Sequence, residues 1–379
     1  MPDIIVFAGV LAIQLIGVSW ILRGPAANAS RRVRFAIISA AFISFAILGF
    51  GFLLKFVRVA RHLSPWWSGW GRGLVFAWAL TSILLVLALA LSQFVARSSA
   101  HSPERRNFLR VANLALFSAP AGTLGYGVFV ERTNLKLREQ SIAVPGLHPD
   151  LDGLRIVQLT DIHLSDFLPE RMLARAVEMA NETRPHLALV TGDLISFQGD
   201  PVDACLHNLA RLRADAGIFG CLGNHEIYAR TEDYTTRMGA RLGMRFLRHQ
   251  SAALRFGNAT LNLGGVDYQH IGERYLVGAE KMIQPGALNV LLSHNPDVFP
   301  VAVQQGWDVT VAGHTHGGQV TVEILHENLS VARFFTRFVD GMYRDGSSSI
   351  FVSRGIGTIG LPARLGAPPE VALIKLCRT

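Results

Sequence analysis

Two hydrophobic patterns divide the chain. Over the first 130 residues the apolar side chains run in long blocks. Residues 4–22, 35–54 and 73–96 contain no Asp, Glu, Lys or Arg. Each reaches the roughly 20 helical residues needed to cross a hydrocarbon core. One such block could be a buried soluble helix, but three in succession predict membrane-spanning helices. A fourth block, 111–130, carries Asn113, Pro120 and several glycines and predicts a fourth span. Trp66, Trp67 and Trp70 fall between the second and third blocks, where interfacial indoles belong.

From residue 154 onward, short apolar runs alternate with amphipathic stretches, which predicts an α/β or α+β domain. Residues 154–160, 187–191, 217–222, 288–293 and 307–312 read as strands, with 260–266, 350–353 and 371–376 supplying more. Residues 170–181 place Leu173, Ala176, Val177 and Ala180 at helical spacing. Val144-Pro145-Gly146 and His148-Pro149 mark a linker. The expected organisation is four transmembrane helices in 1–130, a linker in 131–149 and the α/β domain in 150–379.

Composition agrees with the split. Half of the 379 residues are hydrophobic and 17% are charged, which excludes disorder and an ordinary all-soluble protein. The net charge of +8 suggests nucleic acid until it is located. Residues 1–149 hold 15 Lys+Arg against 4 Asp+Glu, and residues 150–379 hold 21 against 24. The excess sits among the membrane segments, so no nucleic-acid partner is expected and membrane lipids are. Met1–Asp3 has no basic side chain, whereas the loop after the first block has Arg23, Arg31, Arg32 and Arg34. The first helix usually dominates orientation, which predicts an outside N-terminus and, after four crossings, an extracytoplasmic C-terminal domain in a bacterial plasma membrane. Glu104-Arg105-Arg106-Asn107-Phe108-Leu109-Arg110, before the fourth block, resembles a twin-arginine export motif and agrees with that side. Cys205, Cys221 and Cys377 form no CxxC pair, so buried thiols are expected, with room for a single Cys205–Cys221 bridge.

The residues just beyond the strands carry the chemistry. The first strand leads into Asp161-Ile162-His163, the second into Gly192-Asp193, the third into Gly223-Asn224-His225-Glu226. The fourth leads into His294-Asn295-Pro296 and the fifth into Gly313-His314-Thr315-His316. Ligand sites in open α/β sheets gather beyond the carboxyl ends of strands. In extended chain, residues i and i+2 point the same way, so D-x-H and H-x-H can each turn two side chains toward one ion. Singly, an Asp after a strand is a turn or helix-cap residue and a His before Asn-Pro is a loop histidine. Five such ends together suit Zn, Fe, Mn or a similar ion.

The set D-x-H, G-D, G-N-H-E, H and G-H-T-H, in this order, resembles the motif set of the calcineurin-like metallophosphoesterases. The resemblance covers about residues 150–379. The later run Val352-Ser353-Arg354-Gly355-Ile356-Gly357-Thr358, with Pro362 and Pro369-Glu370-Val371, resembles the membrane-associated bacterial branch. The resemblance implies two facing β-sheets flanked by helices. It implies two divalent or trivalent ions, Mn, Fe or Zn. Asp161, His163 and His316 would hold one ion; Asn224, His294 and His314 the other; Asp193 would bridge them. His225 would act beside them as the catalytic histidine, on the phosphate or the leaving oxygen. Two cations about 4 Å apart clamp phosphoryl oxygens and lower the pKa of bound water, which is what an anionic ester that repels hydroxide requires. Glu226 is expected to support ligands rather than bind an ion. Structural roles are expected for Asp267, Arg354 and the eight histidines outside the motifs.

The function expected is a membrane-anchored phosphoester hydrolase, more specifically a phosphodiesterase acting on an extracytoplasmic or lipid-linked ester. The competing reading is a metal-bound interaction or regulatory module without catalysis. Such modules typically lose ligands or the catalytic histidine, and here neither is missing.

Overall fold

The computed structural model describes residues 2–24, 26–56, 65–97, 103–270, 272–324 and 327–379. The chain forms two compact units, one of residues up to Val128 with Gly360–Pro362 and one of Phe129–Ile359 with Ala363–Thr379.

The first unit is helical. Helices α1 (Pro2–Arg23), α2 (Arg31–Phe56), α3 (Pro65–Arg97) and α4 (Pro103–Phe129) contain the four apolar blocks. Spans of 20 residues at Arg31–Phe50, Gly73–Ser92 and Leu114–Thr133 are long and apolar enough to cross a membrane. The apolar stretch of α1 among the described residues is shorter, Ala8–Arg23. Large apolar side chains such as Phe42 and Leu114 point outward, the reverse of a soluble bundle. Inside, α1, α2 and α3 pack together around a polar clasp. Gln14 Nε2 donates to Ser82 Oγ (2.7 Å), Ser44 Oγ donates to Gln14 Oε1 (3.0 Å), and Trp78 Nε1 donates to Ser44 Oγ (2.8 Å). Interhelical polar contacts of this kind hold apolar helices together where water supplies no driving force. Prolines open α3 and α4, where a missing N–H costs nothing. Because α3 begins at Pro65, Trp66, Trp67 and Trp70 belong to its opening turns rather than to a loop.

The second unit is built on two six-stranded sheets. Strands β1 (Lys136–Val144), β2 (Arg155–Leu159), β3 (Leu187–Thr191), β4 (Ile218–Cys221) and β5 (Met244–Phe246) are joined in the first by β14 (Glu370–Arg378). Its order is β1-β14-β2-β3-β4-β5, parallel except where β14 meets β2. The second holds β6 (Gln250–Phe256), β7 (Ala259–Gly265), β8 (Leu288–Leu292), β9 (Val309–Ala312), β12 (Gly341–Asp345) and β13 (Ser348–Val352). Its order is β12-β13-β9-β8-β7-β6, with antiparallel pairs only at the two edges. A hairpin of β10 (Thr321–Ile324) and β11 (Glu327–Ser330) stands apart.

Alternation along the strands produces the layers. Ile156, Leu189 and Phe219 of one sheet meet Leu261, Val290, Val311 and Phe351 of the other in a central core. The intervening residues Val157, Leu159, Ala188 and Val190 face outward. Helices α5 (Glu170–Glu182) and α6 (Val202–Leu209) cover them with Leu173, Ala176, Val177 and Leu206. Helices α7 (Asn224–Ala229), α8 (Glu232–Arg241) and α9 (Phe299–Gln305) complete the unit.

Two expectations change. The segment read as linker, 131–149, contains β1, which pairs along its whole length with β14. Its sequence KLREQSIAV hides the strand because it is an edge: polar side chains at its start are exposed, and only Ile142 and Val144 are buried. Cys205 and Cys221 are the buried free thiols expected, with no bridge between them, but Cys377, near the end of β14, is only half-buried. His62, His101 and His326 lie outside the described residues.

Candidate metal centre

The carboxyl ends of β2, β3, β8 and β9 converge on one cluster. Asp161, His163, Asp193 and His316 bring one ligand atom each within 4.8 Å of one another, and so do Asp193, His294 and His314. Asp193 belongs to both groups. The closest approaches are His294 Nε2 to Asp193 Oδ2 (3.1 Å), His316 Nε2 to Asp161 Oδ1 (3.3 Å) and His163 Nε2 to Asp193 Oδ2 (3.5 Å). His163 Nε2 and His316 Nε2 are 3.1 Å apart.

Backbone strain is concentrated here. Asp161, His163, Asp193, His314 and His316 all have left-handed φ values, between 48° and 76°. Each such residue costs of order 1–3 kcal/mol and persists only where the surroundings enforce it. A left-handed residue turns the chain at the strand end and aims its side chain into the cluster. Two glycines make the close approach feasible. A Cβ on Gly313 would lie 2.3 Å from Thr160 Oγ1 and 2.4 Å from Asp161 Oδ2. One on Gly223 would lie 2.1 Å from Asp193 Oδ1.

A supporting layer orients the ligands. Buried Glu226 accepts from the backbone N–H groups of Asp193 (3.0 Å), Leu194 (2.7 Å) and Gly223 (2.7 Å), locking the β3 and β4 ends together. The His314 N–H reaches both oxygens of Asp161 at 3.0 Å. Thr160 Oγ1 lies 2.9 Å from Asp161 Oδ2. His163 Nδ1 meets Ser196 Oγ at 3.0 Å. His294 Nδ1 donates to the Thr191 carbonyl at 2.7 Å, which leaves Nε2 as its ligating atom. Tyr268 stands over the rim, its hydroxyl 3.5 Å from His314 Nε2.

Fully buried Arg364 buttresses the far side. Its guanidinium donates to the carbonyls of Gly357 (2.6 and 3.0 Å), Arg354 (2.8 Å), Ala367 (2.9 Å), Gly355 (3.2 Å) and His316 (3.4 Å).

The residues fit a cation cluster. Burial pushes His163 down to about 3 and His314 to about 4, and lowers His316 well below its usual value, so these imidazoles are neutral, the form that ligates metals. Burial pushes Asp161 up to about 6 against the pull of His294. Burial also opposes ionisation of Asp193, but the charge and hydrogen bond of His294 outweigh it and hold that carboxyl well below its usual range. Burial alone would lower His294; Asp193 and Asp161 overcome it and push it up to about 10. Two buried carboxylates thus draw in positive charge. Three buried atoms of the site have no hydrogen-bond partner: Asn224 Oδ1, His294 Nε2 and His316 Nδ1. An unpaired buried carbonyl oxygen costs about 1–3 kcal/mol unless something coordinates it.

The cluster gathers Asp161, His163, Asp193, His294, His314 and His316 of the residues the motifs singled out. Asn224 opens α7 directly after Gly223, whose N–H is held by Glu226. His225 stands beside the cluster: its ring is edge-on to His163 (centroids 4.7 Å), and its Nδ1 donates to the Ser196 carbonyl at 2.6 Å. Asp267 is held by Arg248 (3.0 Å) and Arg354 by Asp340 (2.8 Å). Sequence reasoning missed Ser196, Tyr268 and Arg364. None lies in a strand-end motif, and no local pattern marks them.

Comparison with known proteins agrees with this geometry. The profile of the calcineurin-like phosphoesterase family matches residues 154–318. The phosphodiesterase YaeI of Escherichia coli is 30% identical over 277 residues, covering 72% of this chain and 98% of that protein. The chain belongs to the calcineurin-like phosphoesterase family. The metallophosphoesterase YkuE of Bacillus subtilis is similar at 29% identity over 288 residues, with 73% of this chain and 98% of that protein covered. A transmembrane protein with metallophosphoesterase domain from Danio rerio is 28% identical over 265 residues, 66% of this chain and 59% of that protein. As a metallophosphoesterase, the chain is a hydrolase of phosphoric esters, attached to membrane helices.

Proposed function

We propose that the chain is a membrane-anchored phosphodiesterase that uses two metal ions on an extracytoplasmic or lipid-linked phosphodiester. The observation that carries the two-ion reading is the pair of ligand groups sharing Asp193, with His225 beside them. In this reading Asp161, His163 and His316 hold one ion, Asn224, His294 and His314 the other, and Asp193 bridges. The ions are Mn, Fe or Zn, and when bound they supply Lewis-acid polarisation of the ester and an activated water.

The chain's own groups do the rest. Glu226 and Asp161 fix the strand ends through backbone N–H groups, so the ligands are arranged before substrate arrives. His225 keeps its Nδ1 proton on the Ser196 carbonyl, which leaves Nε2 to carry the proton for the departing alkoxide. Phe197 and Tyr228 flank that ring, with centroids 6.2 and 5.4 Å away. The relative YaeI is named a phosphodiesterase, which favours a diester over a monoester. In this reading all of α1–α4 cross the membrane, and the arginines that follow α1, Arg31, Arg32 and Arg34, favour an extracytoplasmic second unit.

The test is turnover by the full-length protein in detergent, loaded with Mn²⁺, on a chromogenic bis-aryl phosphodiester beside an aryl phosphomonoester. Diester cleavage that disappears with chelator and in Asp193→Asn is expected. A folded protein that binds two ions and cleaves neither ester with Mn²⁺, Zn²⁺ or Fe refutes the enzyme reading in favour of a binding module. A phosphatase fusion at the C-terminus reports its side of the membrane.

A further inference from the structure

The segment 331–337 points to a second contact with the membrane. It follows the β10–β11 hairpin and contains Arg333-Phe334-Phe335-Thr336-Arg337. Phe334 is 88% exposed and Phe335 72%. Single exposed apolar residues are ordinary, but two adjacent phenylalanines held in water are not.

The pair is not a loose end. Val331–Phe334 forms a 3₁₀ turn, and the N–H groups of Phe335 and Thr336 donate to the Ala332 carbonyl (2.9 and 3.0 Å). Thr336 Oγ1 donates to Asp297 Oδ1 (2.5 Å), and the Val339 carbonyl accepts from Thr315, next to His316. Nor is the core short of room. Phe338, three residues on, is buried between Phe299 (5.6 Å) and Tyr343 (5.2 Å). The fold takes in one phenylalanine of this segment and presents the other two on a fixed platform beside the metal cluster.

We propose that Phe334 and Phe335 insert into the interfacial layer of an anionic phospholipid bilayer, with Arg333 and Arg337 against its headgroups. The proposal rests on the membrane-anchored reading above and names the surface that would bring the site to a lipid-linked ester. Charge argues for this occupant. Between Glu327 and Asp340 the segment holds two arginines and no acidic side chain, and both arginines stand immediately around the phenylalanine pair; aromatic side chains flanked by basic ones suit an anionic interface. A second copy of the same segment would set arginine against arginine.

The test uses the full-length protein in vesicles of phosphatidylcholine and phosphatidylglycerol. An environment-sensitive fluorophore is placed at Phe335→Cys in a Cys377→Ser background, Cys205 and Cys221 being buried. Arg213→Cys, exposed on the same unit, is the control. Blue-shifted emission at 335, quenched by spin-labelled lipid far more than at 213, is the expected result. Arg333→Gln or Arg337→Gln reduces the inserted population by about fivefold each in anionic vesicles, the effect of one basic side chain near such a surface. Water-like emission at 335, with quenching equal to that at 213, overturns the proposal. A shift that follows protein-to-lipid ratio without lipid quenching overturns it in favour of self-association. The readout needs no turnover, so an inactive protein refutes the hydrolase reading without deciding this one.

Discussion

Replacing Arg364 by methionine tests whether the site rests on a buried buttress. The guanidinium reaches five backbone carbonyls, those of Arg354, Gly355, Gly357, Ala367 and, at 3.4 Å, His316. Hydrogen bonds from a charged donor contribute about 1.5–3 kcal/mol each, so taking the low end gives a loss of about 7 kcal/mol. Methionine also relieves a cost. Burial lowers the Arg364 pKa to about 10, so the ionised form is disfavoured by roughly 3 kcal/mol relative to water, while still dominating at neutral pH. The net destabilisation is about 4 kcal/mol, in the range for breaking a buried charged network. For a unit of this size it lowers the melting temperature by about 10 °C. Differential scanning fluorimetry of the detergent-solubilised protein, with and without Mn²⁺, measures it. Arg364→Lys keeps the charge but has at most three donors, so an intermediate melting temperature is expected. A change under about 2 °C in the methionine variant would mean the carbonyls find water instead, and the buttress argument fails.

Four further outcomes are expected. Glu226→Gln loses the acceptor pair that holds three N–H groups; stability falls by about 2 kcal/mol and metal affinity by about 10–100-fold, read by denaturation and isothermal titration. Gly313→Ala forces a methyl group onto Thr160 and Asp161, so the folded fraction binds fewer ions by elemental analysis; full occupancy would contradict the close approach. Chelation removes turnover and lowers the melting temperature, because the clustered carboxylates lose their counter-charge, and Mn²⁺ restores both. Burial raises the thiols of Cys205 and Cys221, so only Cys377 reacts with an aromatic disulfide reagent before unfolding and all three react after it.

By itself the sequence determined the two-part organisation and the metal-competent residues. Charge-free apolar blocks have few alternatives to helices in lipid, and short apolar runs ending in Asp, His and Gly mark strand ends. The strand at 187–191 and the helix beginning at Glu170 are local patterns that tertiary packing did not override. Edge strand β1 was not legible, since an edge is half solvated and KLREQSIAV follows no burial rule until β14 pairs with it. The free state of Cys205 and Cys221 was equally open, because spacing says nothing about where two thiols point. Only the tertiary structure chose which nitrogen of His294 is free and brought Arg364 under His316 across 48 residues. Those outcomes depend on distances between strand ends, which are set by the packing of two sheets around one core rather than by any neighbouring residue.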